Sequence, residues 1–326
     1  MTRNLLRRIL EYGITLFLAI TLNFILPRAM PGDPLALLAG EAVRQMGAEK
    51  VAALRAAYGL DKPLAEQYLI YLGRLARGDL GQSYRYSGGQ SVAQVLANRF
   101  GWTFFLVFTS LALATLGGSL LGAWSAWRRG SKADLGLLSL LFAVRSMPSF
   151  WLAMIAIPVL AVHWRLLPSG DSYAIPRLSG LAGVADALYH AILPVAVLTI
   201  AYLPTPFAVM RSAMLSVLGS NYVVTARAKG LREGAVLYGH AMRNALLPVV
   251  TSFTLDLGLM LGGATLIETV FNYRGLGTMM FEAVKSRDYP LLQGGFLVFT
   301  LGVLTMNLLA EWLYPYLDPR LRERRP

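Results

Sequence analysis

Side chains that could bind a metal ion or attack a substrate are few in this sequence of 326 residues. It contains no cysteine, which excludes thiolate ligands, disulfides and a cysteine nucleophile. The three histidines, His163, His190 and His240, are far apart with no ligand-like spacing. The patterns G-x-x-x-x-G-K-[ST], G-x-S-x-G and H-E-x-x-H are also absent. The sequence therefore predicts no metal site and no nucleotide hydrolysis within this chain.

Charged residues inside the long apolar segments offer one further kind of chemistry. Asp256 is the only acid deep within such a segment, so paired carboxylates for acid–base catalysis are not available. Arg145 and Asp256 each lie about ten residues from the same end of their segments, which corresponds to a depth of about 15 to 17 Å. An unpaired charge at that depth in a membrane is costly. The sequence predicts that the two pair, either as a static ion pair or along a translocation path.

The overall composition is that of a membrane protein. Hydrophobic residues make up 56% of the chain and charged residues only 15%, too few to cover a water-soluble domain of this length. The formal net charge of +12 could indicate nucleic-acid binding. Most arginines and lysines, however, lie in short segments between apolar runs, where they orient helices or meet anionic lipid. We therefore expect contact with membrane lipid and none with nucleic acid.

Six segments have the length and apolar character of a membrane-spanning helix, which needs about 20 residues. They are Ile9–Leu26, Trp102–Trp127, Leu135–Val162, Ala187–Met210, Ala245–Ile267 and Pro290–Ala310. Basic residues are concentrated in residues 1–8, 128–134, 211–244 and the tail after Glu311. By the positive-inside rule, these segments and both termini are cytoplasmic. The sequence predicts an all-α membrane protein with six transmembrane helices and a retained N-terminal anchor helix.

The long outer segment between the first two spans carries structure of its own. Helices are predicted at Ala48–Tyr58, before Gly59, and at Pro63–Ala76, after a turn at Pro31–Pro34. We interpret this segment as a small external cap. The predicted domains are an anchor helix, the cap, a core with five spans and the inner loop 211–245, and a basic tail: residues 1–27, 28–100, 101–318 and 319–326.

Small residues and prolines within the spans predict where helices approach closely and where they bend. Glycines four residues apart allow close helix packing, although chance placement is an alternative in a chain with 31 glycines. Two such pairs occur, Gly118 with Gly122 and Gly258 with Gly262. Prolines remove backbone donors and are expected to kink their helices. They lie at Pro148, Pro194 and Pro204.

The inner loop is the most informative stretch. Good helix formers precede Gly230, and glycine can adopt the left-handed conformation that ends a helix. This pattern predicts a short helix, a glycine turn and a second helix that leads into the membrane. Val223, Ala226 and Leu231 would be available to a groove on a partner. An ordinary basic helix resting on lipid is an equally good interpretation of these residues.

The loop also resembles a known sequence motif. Tyr222-Val-Val-Thr-Ala-Arg-Ala-Lys-Gly-Leu231, followed by His240-Ala-Met-Arg-Asn-Ala-Leu-Leu-Pro248, is similar to the EAA-type loop of permease subunits in bacterial ATP-binding-cassette (ABC) peptide importers. Further motifs occur in the order of the B-type subunit of the dipeptide/oligopeptide (peptide/nickel) family. They are Pro31-Gly-Asp-Pro34, Tyr58-Gly-Leu-Asp-Lys-Pro63, Gly78-Asp-Leu-Gly81, Pro148-Ser-Phe-Trp151, Gly275-Leu-Gly277 and Arg287-Asp-Tyr-Pro290.

This resemblance implies a type I ABC importer permease fold in the bacterial inner membrane, with six spans and a periplasmic cap. The chain would be a non-catalytic translocation subunit without a cofactor. Its partners would be a second permease of the C type, two cytoplasmic ATP-binding subunits that carry ATP and magnesium, and an external substrate-binding protein. The residues implied to contact the ATPase are Thr225, Ala226, Arg227, Ala228, Lys229, Gly230 and Leu231.

Some features depart from the family pattern or leave alternatives open. The consensus glutamate has no counterpart at the start of this loop, and Arg145 and Asp256 occupy positions that are usually uncharged in the family. The same machinery could import nickel or oligosaccharides instead of peptides. A secondary transporter is the alternative of a different class, but it would show repeats in its two halves and intramembrane ion-coupling groups. Neither is visible in the sequence.

Overall fold

Long apolar runs in the sequence fold as α-helices. The computed structural model describes residues 2–29, 35, 47–57, 60–83 and 90–317, without the side chains of 2–9, 26, 27, 54, 57, 258–263 and 310–317. Within these residues, extended pairing is limited to an isolated bridge between Gln82 and Ser91. The predicted turn at Pro31–Pro34, Tyr58, Gly59 and the tail 319–326 lie outside the described residues.

The helices of the described chain are numbered here in sequence order. They are α1 (Thr2–Ala29), α2 (Ala48–Ala57), α3 (Leu64–Ala76), α4 (Val92–Trp127), α5 (Lys132–Ser146), α6 (Ser149–Ala156), α7 (Gly180–Tyr202), α8 (Pro204–Leu218), α9 (Asn221–Ala228), α10 (Met242–Gly263), α11 (Thr265–Val270), α12 (Leu276–Ser286) and α13 (Tyr289–Leu317). Two π-helical segments, Ile157–His163 and Ala235–Ala241, follow α6 and precede α10. The helices predicted in the outer segment are thus confirmed as α2 and α3.

Three helices of the described chain are long and apolar enough to cross a membrane unbroken: Val92–Trp127, Gly180–Tyr202 and the Tyr289–Leu309 part of α13. The third predicted span is instead divided between Lys132–Ser146 and Ser149–His163, which meet at 99°. A second bent pair, Pro204–Leu218 with Asn221–Ala228, meets at 70°. Counting each bent pair as one gives up to five spans among the described residues. The six-span arrangement stays a prediction.

Prolines explain two of the helix boundaries. Met147, which precedes Pro148, is extended, with φ −92° and ψ 129°, because the proline ring disfavours helical geometry in the residue before it. The new helix, α6, then begins after Pro148. Pro204 likewise starts α8 directly after α7. By contrast, α7 continues through Pro194. The expected interruptions therefore occur at two of the three prolines.

The chain divides into two compact units. The first comprises Met1–Thr103 and Arg274–Leu304, and the second comprises Phe104–Tyr273 and Thr305–Pro326. In the first unit, two of the sequence motifs meet near the start of α13. Ser83 Oγ donates to Asp288 Oδ2 at 2.6 Å, and the other carboxylate oxygen of Asp288 accepts from Leu291 N at 3.2 Å. These bonds join the segment after Gly81 to the turn before α13.

A hydrophobic core in the second unit supports the inner loop. It joins residues from the end of α4, from α8 and α9, and from the π-helical segment and α10. Its buried members are Ala123, Ala126, Met210, Met214, Val223, Ala226, Val236, Leu237, Ala241, Ala245 and Val249. Because side chains one turn apart lie on the same face of a helix, each element contributes one apolar stripe.

Candidate functional site

The inner loop folds as a short helix closed by a glycine turn. α9 ends at Ala228, and Lys229 N donates to Thr225 O at 3.0 Å. Gly230 follows with φ +75°, and its N–H donates to Arg227 O at 2.9 Å. Only glycine adopts this left-handed conformation without a steric penalty from Cβ. The predicted helix and glycine turn are confirmed.

A second helical element then leads into α10. Arg232 O accepts from Ala235 N at 2.8 Å and from Val236 N at 3.1 Å, which starts the π-helical segment Ala235–Ala241. That segment continues directly into α10 at Met242. Short π-helical stretches in proteins often occur at functional sites. The predicted second helix is therefore confirmed, with a π-helical segment of seven residues before α10.

Two residues predicted to be available to a partner are buried. Val223 has no exposed surface and Ala226 is 5% exposed. Their spacing of three residues places both on one face of α9, and this face packs into the core beside Met210 and Val236. The prediction that Val223 and Ala226 are available was therefore wrong. Their side chains anchor α9 to the rest of the second unit.

The opposite side of the loop is exposed. Six of the seven predicted contact residues lie there, the exception being Ala226. The six are Thr225, Arg227, Ala228, Lys229, Gly230 and Leu231. Leu231, the apolar member of this set that follows the Gly230 turn, retains 40% of its surface. The role of these residues in ATPase contact stays a prediction.

Arg227 also contacts its own chain. Its guanidinium carbon lies 4.7 Å from the centre of the Trp127 ring, at the end of α4. Its Nε lies 3.9 Å from Glu233 Oε1, in an exposed ion pair. Cation–π contacts of this kind stabilise a helix modestly when they are exposed to solvent. Arg227 therefore connects the exposed edge of α9 to α4.

A buried polar cluster lies at the C-terminal end of α4, where the sequence predicts only orienting charges. Asp134, 1% exposed, forms an ion pair with Arg211 in which Nη2 lies 2.9 Å from Oδ2. Ser125 Oγ donates to the same carboxylate. One signal could have found the pair: opposite charges at the boundaries of two predicted inner segments, 128–134 and 211–244.

The predicted pairing of Arg145 with Asp256 does not occur. No ion pair joins them in the part of the chain that the structure describes. Asp256 Oδ2 accepts a hydrogen bond from Ser252 Oγ at 3.0 Å, and Arg145 is exposed in the last turn of α5. The two residues would lie at one depth only if the third span were straight, whereas the chain turns by 99° directly after Ser146. A role of either residue in the translocation path stays a prediction.

Comparison with known proteins decides the family. The model for the binding-protein-dependent transport system inner membrane component matches residues 118–323, and the N-terminal model of such membrane components matches residues 1–107. The chain belongs to this family. The family resemblance inferred from the motifs is thereby confirmed. The protein is a multi-pass inner-membrane permease subunit, and ATP hydrolysis takes place on separate subunits.

Relatives of this family member are similar over their whole length. The dipeptide transport system permease protein DppB of Escherichia coli strain K12 is 39% identical, with complete coverage of both chains. The oligopeptide transport system permease protein AppB of Bacillus subtilis strain 168 is 35% identical, over 98% of this chain and 99% of that protein. An ABC importer permease works with an ATPase and a substrate-binding protein in general, so these partners are expected here. A secondary transporter is not favoured.

A solved structure supports the fold. The methionine ABC transporter MetNI in an inward-facing conformation contains a chain that matches with a TM-score of 0.57 and 16% identity. The match covers 69% of this chain and 97% of that one. The all-α ABC importer permease fold is therefore confirmed for the family member described here.

Proposed function

We propose that this chain is the B-type translocation subunit of a dipeptide or oligopeptide importer. Relatives that carry the names dipeptide and oligopeptide permease, similar over the full chain, support peptides as the substrate class. Nickel and oligosaccharides are less favoured by these names. A second permease of the C type completes the pathway, and two ATP-binding subunits and a substrate-binding protein complete the transporter.

The chain crosses the inner membrane six times in this proposal. Both termini and the loop 211–245 are cytoplasmic, and residues 28–100 form a periplasmic cap that meets the binding protein. The clustering of arginine and lysine in the predicted inner segments supports this orientation. Exposed apolar side chains on α1 support its contact with lipid. They include Leu10, Ile14, Phe17, Leu18, Leu22 and Ile25.

Coupling to the ATPase is proposed to occur through residues 225–231. The observation that carries this function is the two-sided character of α9. One face is buried through Val223 and Ala226, whereas the other face and the Gly230 turn are exposed. A helix with one face packed into the core can transmit a displacement of its exposed face to the elements that it packs against. ATP and magnesium would be bound by the partner subunits, with no cofactor in this chain.

The exposed edge carries the chemistry that a groove on an ATPase can recognise. Lys229 and Arg227 offer positive charge at the last turn of α9, where cations are favoured by the helix dipole. Leu231 follows the turn as an exposed apolar anchor. In this mechanism, closure of the ATPase dimer displaces this edge, and the buried face of α9 passes the displacement to α4 and α8.

Co-purification of the ATPase with the permease tests the docking claim. Gly230→Pro would fix φ near −65° at a residue with φ +75°, and should greatly reduce ATPase recovery. Gly219→Ala is the matched control, since Gly219 has φ −84° and no atom within 4 Å of an added Cβ. Equal ATPase recovery with both variants, or none with the wild type, would contradict docking through this turn.

Uptake by the complete transporter tests the substrate class. Membrane vesicles with all subunits should accumulate labelled dipeptides when ATP and the binding protein are present. Separate assays with the same vesicles measure the accumulation of nickel and of a labelled oligosaccharide. Accumulation of either, with no accumulation of dipeptides or longer peptides, would overturn the peptide assignment and leave the docking claim intact.

A further inference from the structure

Three polar side chains from three helices are buried together at the C-terminal end of α4. Arg211 of α8 binds Asp134 of α5 through both ends of its guanidinium, with Nε 3.1 Å from Oδ1 and Nη2 2.9 Å from Oδ2. Arg211 Nε also lies 3.0 Å from Ser125 Oγ on α4. Asp134 and Ser125 are buried and Arg211 is mostly buried. Bidentate contacts of this kind fix both distance and orientation.

The same carboxylate also fixes the connection between α4 and α5. Gly130 N donates to Asp134 Oδ2 at 2.9 Å, and Asp134 N donates to Ser131 Oγ at 3.1 Å, which caps the start of α5. Asp134 thus accepts hydrogen bonds from Ser125, Gly130 and Arg211. One side chain therefore holds the end of α4, the connecting turn, the first turn of α5 and the middle of α8.

The backbones of α4 and α8 already touch beside this cluster. An added Cβ on Gly118 would lie 2.9 Å from Leu203 O, and one on Gly122 would lie 3.1 Å from Arg211 N. Arg211 therefore lies about one turn along α8 from Phe207, whose carbonyl oxygen makes the closest approach to α4, 2.6 Å from a Cβ on Gly122. Further along the chain, α8 is followed after Gly219 and Ser220 by α9. This junction therefore connects α9, by way of α8, to α4 and α5.

We propose that Ser125, Asp134 and Arg211 form a rigid joint that makes α4 and α5 move together with α8 and α9 during the transport cycle. These are positioning residues: they touch neither substrate nor nucleotide, and they act by transmitting displacement of the loop 225–231. The proposal rests on the proposed coupling function of that loop. A purely structural role would stabilise the fold but would leave the ratio of transport to ATP hydrolysis unchanged.

Activity of the reconstituted transporter provides the first test. Asp134→Asn keeps the size of the side chain but weakens the bond to Arg211, and Arg232→Lys is the control at an exposed arginine. We expect Asp134→Asn to retain ATPase co-purification and ATP hydrolysis, while peptide transported per ATP falls roughly two- to thirtyfold. The double variant Asp134→Asn with Arg211→Gln should recover part of this ratio, because no buried charge is left unpaired. An unchanged ratio in Asp134→Asn, or a fall in the control of the same size, would overturn the proposal.

Distances within a chain that retains Ser125, Asp134 and Arg211 provide a second test, which leaves the cluster itself unchanged. Since the sequence has no cysteine, Arg129→Cys and Asn221→Cys introduce a single pair of spin-label sites in this chain, both exposed and both outside residues 225–231. In the complete transporter their distance should be the same without nucleotide and in an ATP-trapped state. A distance that changes between these states would show that the joint is not rigid. Failure of the ATPase to bind the wild-type permease would instead contradict the proposed function, and co-purification detects this beforehand.

Discussion

A Cβ atom on Gly122 would lie 2.6 Å from the carbonyl oxygen of Phe207, closer than any side chain could be accommodated without movement of the backbone. An added Cβ on Gly118, one turn earlier, would lie 2.9 Å from Phe207 N. α4 and α8 thus approach each other along two turns that only glycine permits. The packing role predicted for this glycine pair is confirmed. The packing predicted for Gly258 and Gly262 falls outside the part of the chain whose side-chain surroundings are described.

Gly122→Ala should therefore destabilise the protein by about 1 to 3 kcal/mol, because the added methyl group forces the two backbones apart. Gly136→Ala is the matched control: Gly136 lies in α5, and no atom is within 4 Å of its added Cβ. Alanine favours helix more than glycine, so this variant should unfold at the same or a slightly higher temperature. Thermal unfolding of both purified variants in detergent measures the difference. Equal midpoints would contradict the close approach.

Gly230→Ala tests the turn after α9 more gently than a proline substitution. A Cβ at Gly230 meets no atom within 4 Å, so the cost comes from the backbone conformation with φ +75°. That cost is about 1 to 2 kcal/mol for an alanine in a left-handed conformation. We expect the turn to open part of the time and ATPase recovery to fall, whereas Gly219→Ala should not change recovery. Full recovery with Gly230→Ala would show that the left-handed turn is not needed for docking.

Arg227 should hold α9 against α4 through its contact with Trp127. Arg227→Ala removes this contact, and Arg227→Lys retains the charge but loses the planar group that stacks on the ring. Exposed cation–π contacts contribute about 0.5 to 1 kcal/mol, which corresponds to roughly two- to fivefold faster exchange of the α9 amide hydrogens. Hydrogen exchange measured by mass spectrometry gives this ratio. Arg232→Ala, in the adjoining turn, should leave the exchange of the α9 amides unchanged. If Arg232→Ala accelerated that exchange as much as Arg227→Ala does, the cause would be the lost positive charge and not the contact with Trp127.

Local structure in the inner loop could be predicted from the sequence, but its orientation could not. The helix formers before Gly230 determine a short helix and a turn because both depend on neighbouring residues only. The spacing of Val223 and Ala226 likewise shows that they share one face. Which face of α9 is buried depends on residues that are distant in sequence, such as Met210. The local pattern therefore could not show that Val223 and Ala226 lie on the buried face.

Predictions that needed long-range geometry were the ones that differed from the structure. Counting residues along straight helices places Arg145 and Asp256 at the same depth, but the bend after Ser146 invalidates the count. The pair that does form, Asp134 with Arg211, joins residues 77 positions apart. Both lie near predicted membrane boundaries, where basic residues were interpreted through the positive-inside rule alone. The placement of charges along the sequence therefore indicates membrane orientation, but it does not reveal the buried ion pair between Asp134 and Arg211.

Acid conditions should weaken the turn after α3 in the first unit. Arg74 Nε donates to Asp79 Oδ2 at 2.9 Å, and this bond lowers the pKa of Asp79, with a further contribution from Gly81 N. Since the folded-state pKa is below the unfolded value of about 3.9, the stabilisation is present above that pH and is lost as pH falls through the folded-state pKa. Asp79 is half exposed, so the contribution is at most about 1 kcal/mol.

Asp79→Asn should therefore lower the unfolding temperature slightly at pH 6, and the difference from wild type should shrink as pH falls below about 4. Salt at about 1 M should also reduce the difference at pH 6, because exposed ion pairs are screened. Arg74→Gln provides the partner control. In that background, Asp79→Asn should produce a smaller change with a weaker pH dependence, since the main cause of the lowered pKa is gone. A difference between wild type and Asp79→Asn that stays constant from pH 6 to pH 3 would show that the Arg74 bond does not act on the ionised carboxylate.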